Sequence, residues 1–199
     1  MGSSAMNFTL SLPDTWRLSS EQFFELCQNN PDCRFELSTQ GELIIMPPTG
    51  GETGRRNMDL SFQVRAWERN HQTLGVAFDS STCFKLPNGA HRSPDAAWVS
   101  RHRWDALTAA EKAKFPPLCP NFVVEIRSPS DRLQTLQEKM QEYRDNGAKL
   151  GWLIDPTTQR VEIYRENQAL ETLEQPSYLT GEQVLSGFEL DLNPIWHLD

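Results

Sequence analysis

Two carboxylates stand in strands that should be apolar. Asp95 directly precedes the run Ala96-Ala97-Trp98-Val99, and Glu125 lies inside Phe122-Val123-Val124-Glu125-Ile126. An isolated ionised carboxylate in an apolar interior is strongly disfavoured, so it protonates, pairs or binds a cation. Two such acids on neighbouring strands can share a divalent ion. Mg²⁺ takes one or two protein carboxylates and fills its other positions with water and phosphate oxygens. Such an ion polarises a phosphoryl oxygen and acidifies its own water, the chemistry of phosphodiester hydrolysis. Each acid alone also has a structural reading: Glu125 pairing with Arg127 or a lysine, and Asp95 capping the turn after Pro94. Competing chemistries lack their motifs. Gly50-Gly51 has no GKS or GxGxxG context, and neither GxSxG nor HExxH occurs.

The elements that must position these acids can be read from periodicity. Ser19 or Ser20 caps a helix running to Asn29, and residues 34–37 and 42–46 form two strands joined by a turn at Gln40-Gly41. Pro47-Pro48 and Gly50-Gly51 end the second strand. A long helix over 52–72 carries Leu60, Val64 and Trp67 on one stripe, with Met58 and Phe62 alongside. Short strands are expected at 76–79, 82–86, 96–99 and 122–126, and a weak helix at 104–114. A helix over 131–146, stopped by Gly147, has Leu133, Leu136, Met140 and Tyr143 on its apolar stripe. GWLID and VEIYR pair around Pro156-Thr157, and 188–192 alternates like a last strand. Mixed strands and helices predict an α/β (α+β) domain with a central sheet covered by helices.

Composition narrows the class. The 199 residues are 38% hydrophobic and 23% charged, enough for one domain with its own core. Ten Phe, six Trp and three Tyr exclude a disordered chain. The net charge of -8 argues against a broadly basic, non-specific nucleic-acid binder, though not against an enzyme that touches DNA locally. No apolar run is long enough to cross a membrane. Cys27, Cys33, Cys83 and Cys119 form no CxxC pair and are expected as reduced thiols, which places the protein in the cytoplasm. Residues 1–5 read as an expression-tag remnant ahead of Met6, leaving 6–199 as a single domain.

Pro94-Asp95 before one apolar strand, followed 30 residues later by Glu125-Ile126-Arg127 in another, resembles the PD-(D/E)xK nuclease signature. The segments FELSTQGELIIMPPTGG, RSPDAAWVS, FVVEIRSPSD and EKMQEYRDNGAKLGWLIDP, in that order, resemble the Uma2 family, formerly DUF820, which is abundant in cyanobacteria. The likeness runs from about Phe35 to Phe188. It implies a restriction-endonuclease-like core, a mixed central β-sheet flanked by helices, with Mg²⁺ or Mn²⁺ at the acids and DNA as substrate.

Carried over by position, Asp95 matches the aspartate of the PD half-motif and Glu125 the glutamate of the second. The usual lysine position, two after the glutamate, holds Arg127; a lysine on the following helix matches Lys139. Arginine stays protonated, so Arg127 would support phosphate charge rather than act as base. Lys139 lies about 80° from the mean direction of the apolar stripe, at about 100° per residue, on the margin of the buried face. It would orient or activate the attacking water. Glu36 and Glu42 belong to the early EL…GEL pattern, and either could add a carboxylate to the metal. Thr53 stands where many members carry a histidine. The expectation is a divalent-metal-dependent endodeoxyribonuclease acting on DNA, with a homodimer as the arrangement that would match a two-fold duplex. The alternatives are a catalytically silent nuclease fold serving as an interaction or DNA-binding module and, third, a hydrolase of small phosphoesters.

Overall fold

The computed structural model describes residues 8–198, so residues 1–5, expected from the sequence to be a tag remnant, lie outside the described residues. In chain order the elements are β1 (Phe8–Leu10), α1 (Ser20–Asn29), β2 (Arg34–Leu37), β3 (Leu43–Met46), α2 (Gly51–Asn70), β4 (Gly75–Asp79), β5 (Phe84–Lys85), β6 (His91–Arg92) and β7 (Ala96–Ser100). Then follow α3 (Arg101–Asp105), α4 (Ala109–Lys112), β8 (Phe122–Ile126), α5 (Leu133–Asp145), β9 (Leu150–Asp155), β10 (Arg160–Arg165), β11 (Glu171–Glu174), β12 (Tyr178–Thr180), β13 (Glu189–Asp191) and α6 (Asn193–Trp196).

The central sheet has six strands in the order β11-β10-β9-β8-β7-β4. Only β8 and β9 run parallel, in a register that sets Glu125 beside Leu153. A parallel pair needs a crossover, and α5 supplies it. Strand alternation sorts the side chains onto two faces. Ala96, Trp98, Phe122, Val124, Ile126, Leu150, Trp152 and Ile154 pack with Leu60, Val64 and Trp67 of α2 and with the C-terminal segment through Phe188 and Ile195. Ala97, Val99, Val123 and Leu153 pack against Leu136, Met140 and Tyr143 of α5. By the same alternation Glu125 faces α5. This is the mixed central sheet flanked by helices expected from the sequence.

A second, antiparallel sheet has the order β1-β3-β2-β6-β5. Gly41, at φ +82°, makes the tight turn between β2 and β3, a conformation that favours glycine. The bridge Leu37↔His91 joins β2 to β6, which brings Glu36 and Arg92 to one place. α1 begins at a capping box: the Ser19 hydroxyl accepts from the Gln22 amide while the Gln22 side chain accepts from the Ser19 amide. Phe23 of α1 is buried in the small core beneath this sheet.

The single helix expected at 104–114 is two short ones. Thr108 caps α4 with its own capping box to Glu111, and the backbone breaks there to start afresh. The strand expected at 82–86 is confined to Phe84–Lys85, and β1, β6, β11 and β12 carry too little alternation to be seen from sequence.

Two glycines mark where layers touch. A Cβ at Gly75 would lie 2.3 Å from the Trp98 ring and 2.4 Å from the Val99 carbonyl oxygen. One at Gly151 would meet Met140 Cε at 2.6 Å, the far end of a flexible side chain. Gly75→Ala should therefore destabilise the fold by about 1–3 kcal/mol or more, and Gly151→Ala by clearly less, because methionine can move and a backbone carbonyl cannot. Urea denaturation of the two variants reads the difference; equal losses would contradict it.

Candidate active site

Glu36 of β2, Asp95 just before β7, Glu125 of β8 and Lys139 of α5 converge on one cleft of about 860 Å³. The Lys139 Nζ lies 2.8 Å from Glu125 Oε1 and 2.8 Å from Glu36 Oε1. It also donates to the Ser93 carbonyl at 3.4 Å. Glu36 is held further by the Ser93 amide at 2.9 Å and the Arg92 guanidinium at 3.2 Å. Arg92 in turn is gripped by Glu142, one turn along α5 from Lys139, at 2.6 Å. The Tyr143 hydroxyl donates to Glu125 Oε1 at 3.1 Å. Asp95 accepts from the Ile126 amide at 2.8 Å and from Asn57 Nδ2 at 3.0 Å, which ties β7 to β8 and to α2.

Four carboxylates (Glu36, Asp95, Glu125, Glu142) thus face two cations (Arg92, Lys139), and the cluster is short of positive charge. Burial pushes Glu125 up to about 8; Lys139 opposes this, but the charges of Asp95 and Glu36 add to it. Burial also raises Asp95, offset in part by the Ile126 amide and by Lys139. Glu36 moves the other way: Lys139 and Arg92 outweigh its burial and keep it ionised. Lys139 is buried too, yet Glu125 and Glu36 hold it protonated well above the ordinary lysine range. An ammonium held so firmly cannot accept a proton, so Lys139 in this state orients and neutralises rather than acts as base.

Of the residues expected from the sequence, Asp95, Glu125, Lys139 and Glu36 are brought together. Glu42 lines the same cleft but is engaged elsewhere, accepting from the Ser38 hydroxyl at 3.2 Å and from Ser11 at 3.5 Å. Arg127 does not line the cleft; its guanidinium is spent on Asp155 at 2.8 Å and on the Asp131 carbonyl at 3.2 Å. Residues not singled out from the sequence are Asn57, Arg92, Ser93, Glu142 and the Tyr143 hydroxyl. Asn57 had a legible signal, since it continues the stripe Leu60, Val64, Trp67 by three residues toward the helix start. Tyr143 was visible only as core, because periodicity does not tell where a hydroxyl points.

Among the described residues no group of three or more His, Cys, Asp or Glu side chains is placed to hold a metal ion. An ion of the Mg²⁺ type needs only one or two protein carboxylates and keeps waters. Asp95 and Glu125 fit that donor set, and the repulsion that raises Glu125 is what a bound cation would relieve. Glu36 does not fit it as well, being already satisfied by Lys139, Arg92 and the Ser93 amide.

A mixed sheet flanked by helices thus carries two acids at adjacent strands and a lysine from the crossover helix. The chain belongs to the Uma2 family: the family model, described as "Putative restriction endonuclease", matches residues 20–193. A crystal structure from Anabaena variabilis, described as a "putative nuclease belonging to DUF820", superposes with a TM-score of 0.73 at 19% identity, covering 90% of this chain and 97% of that one. No curated protein matches the sequence.

The raised Glu125 makes a stability prediction with a definite sign. Between its ordinary value of 4.5 and about 8, the folded state keeps a proton that the unfolded chain has lost. Wild-type stability should therefore fall as pH rises through that window. Glu125→Gln cannot titrate and should be the more stable protein at pH of about 8, by an amount on the order of a few kcal/mol, with the gap closing toward pH of about 5. Denaturant melts across this range provide the measurement; a gap that does not change with pH would refute the assignment.

Proposed function

We propose that this protein is a divalent-metal-dependent endonuclease that hydrolyses phosphodiester bonds in DNA. The observation that carries the reading is the Glu125–Lys139 contact at 2.8 Å, with Asp95 fastened to the next strand beside it. Family membership supports the same class of activity. Asp95 and Glu125 would hold Mg²⁺ or Mn²⁺, which supplies Lewis acidity at a phosphoryl oxygen and a more acidic water. The Ile126 amide and Asn57 fix the Asp95 carboxylate, and Tyr143 fixes that of Glu125. Lys139 gives the reaction a fixed positive charge able to orient the nucleophile or meet the charge that develops on phosphate.

A silent nuclease fold is the second reading, and one observation favours it: Lys139 and Tyr143 both already engage Glu125 Oε1. The two readings separate in a plasmid relaxation assay with Mn²⁺ against chelator. The nuclease reading expects metal-dependent nicking that Asp95→Asn and Glu125→Gln abolish. Lys139→Gln should slow cutting by roughly 10²–10⁴-fold, the scale of a positioned catalytic group. Arg127→Gln should cut at close to the wild-type rate while losing about 1–3 kcal/mol of stability through its bond to Asp155. The reverse ranking, with Arg127→Gln inactive and Lys139→Gln normal, would return the third role to the strand. Binding of DNA with no cutting under any metal would favour the silent module.

A further inference from the structure

We propose that the outward face of α2 binds an unpaired nucleic-acid strand where it leaves the cleft, with phosphates on the arginines of that face and a base on Phe62. This rests on the nuclease reading of the cleft. The sequence sets Met58 and Phe62 alongside the buried stripe of α2, but the structure turns both away from it: they are 70% and 67% exposed. Arg55, Met58, Phe62, Arg65 and Arg69 follow one another at steps of three or four residues and are all exposed. They therefore form one stripe, opposite Leu60, Val64 and Trp67. At 1.5 Å per residue the stripe is about 21 Å long, the axial rise of about six nucleotides.

The chemistry of the stripe points to a polyanion. Two large apolar side chains exposed one turn apart make a contiguous patch, and each charged residue of the stripe around them is an arginine. The acids of α2 lie off it: Glu68 is buried and bonded to Arg65, Glu52 reaches Arg56 at 3.4 Å, and Asp59 is half-buried on one flank. Arg69 makes no ion pair among the described residues. In a chain of net charge -8, a helix face carrying only cations is a local electrostatic footprint. A guanidinium takes a phosphate as a two-pronged donor, and an aromatic face takes an unpaired base by stacking.

Placement agrees. Gly51, one turn before Arg55 on the same stripe, lines the cleft that holds Asp95 and Glu125, so the surface begins at the cleft mouth. The cleft has little positive charge to offer a strand, because Arg92 is held by Glu36 and Glu142, and Lys139 by Glu36 and Glu125. Phosphates beyond the cleaved one are then best met outside it, and α2 supplies arginines beside the mouth. A second copy of the chain is the rival occupant, and charge argues against it. Antiparallel pairing of two α2 faces with Met58 over Phe62 would set Arg55 of one copy against Arg65 of the other at both ends of the contact, and such like-charge meetings are repulsive.

The test uses the full chain and a fluorescent DNA single strand of about 16 nucleotides, with chelator present so that binding is read without cutting. Phe62→Ser should weaken binding by about fivefold or more, and Phe62→Tyr, which keeps the ring, should restore it. Arg69→Gln should lower the slope of log affinity against log salt by about 0.7, the share of one phosphate on a single strand. All three variants should melt close to wild type, since the side chains are exposed. Strand binding that Phe62→Ser leaves intact, or a salt slope that Arg69→Gln leaves unchanged, overturns the surface. Blunt duplex bound as tightly as the single strand and indifferent to Phe62→Ser overturns the stacking of an unpaired base. A wild-type dimer that Phe62→Ser splits in sedimentation, with strand binding unchanged, gives the face to a second copy and overturns the proposal. Cutting is scored apart, with Mn²⁺: a wild type that never cuts, yet binds the strand through Phe62, defeats the nuclease reading and supports the surface, whereas nicking together with binding that is independent of Phe62 defeats the surface alone.

Discussion

One ammonium joins the two sheets of this protein. Lys139 stands 2.8 Å from Glu36 of the smaller sheet and 2.8 Å from Glu125 of the central one. All three side chains are buried or nearly so. Taking such charges out of water costs several kcal/mol per ion, and only close pairing with further hydrogen bonds offsets it. The further bonds are present: Ser93 and Arg92 on Glu36, Tyr143 on Glu125, Glu142 on Arg92. Removing Lys139 would leave two carboxylates facing each other, so the placement of β2 and β6 against β8 depends on this contact. The apolar core on the α5 face also joins the two sheets, since Phe84 of β5 packs there with Ala97 and Val99, but Lys139 is the charged contact between them.

The same contact leaves a deficit. Glu36 takes the better share of the ammonium and stays ionised, while Glu125 is left with a raised pKa beside Asp95. A fold optimised only for stability would place an apolar residue in FVVEI. Strand β8 instead keeps an acid whose charge is unfavourable until a proton or a cation arrives. Strained electrostatics of this kind cluster at sites of chemistry, although structural networks also produce them. Here the deficit lines a cleft, as the proposed chemistry requires.

Most of the fold was legible because burial imposes period. The stripes of α2 and α5 and the apolar runs β7, β8 and β9 follow from side chains that must leave water. Asp95 and Glu125 were legible for the opposite reason, as exceptions to those runs. Less visible were elements fixed by few contacts: β1, β6 and β11 are short, with pairing set by neighbouring strands rather than by their own pattern. Glu36 and Glu42 could not be told apart in advance, since both sit at hairpin positions. The pairing Leu37↔His91 decides between them by carrying Arg92 and Ser93 to Glu36, while Glu42 turns back onto Ser38.

The approach of a helix lysine to Glu125 follows from geometry. A residue two beyond Glu125 shares its face of the strand but lies about 6–7 Å further along. In this chain that point is past the end of β8, where Asp155 at the end of the parallel neighbour β9 captures whatever cation is there. α5 crosses the same face and passes over Glu125 itself. Its stripe Leu136, Met140, Tyr143 points inward, so Lys139, adjacent to Met140, reaches the carboxylate from above. A positive charge beside the glutamate can thus be delivered from strand or helix. With Asp155 present the strand position is occupied by a structural ion pair, and the crossover helix is left as the element able to deliver the charge.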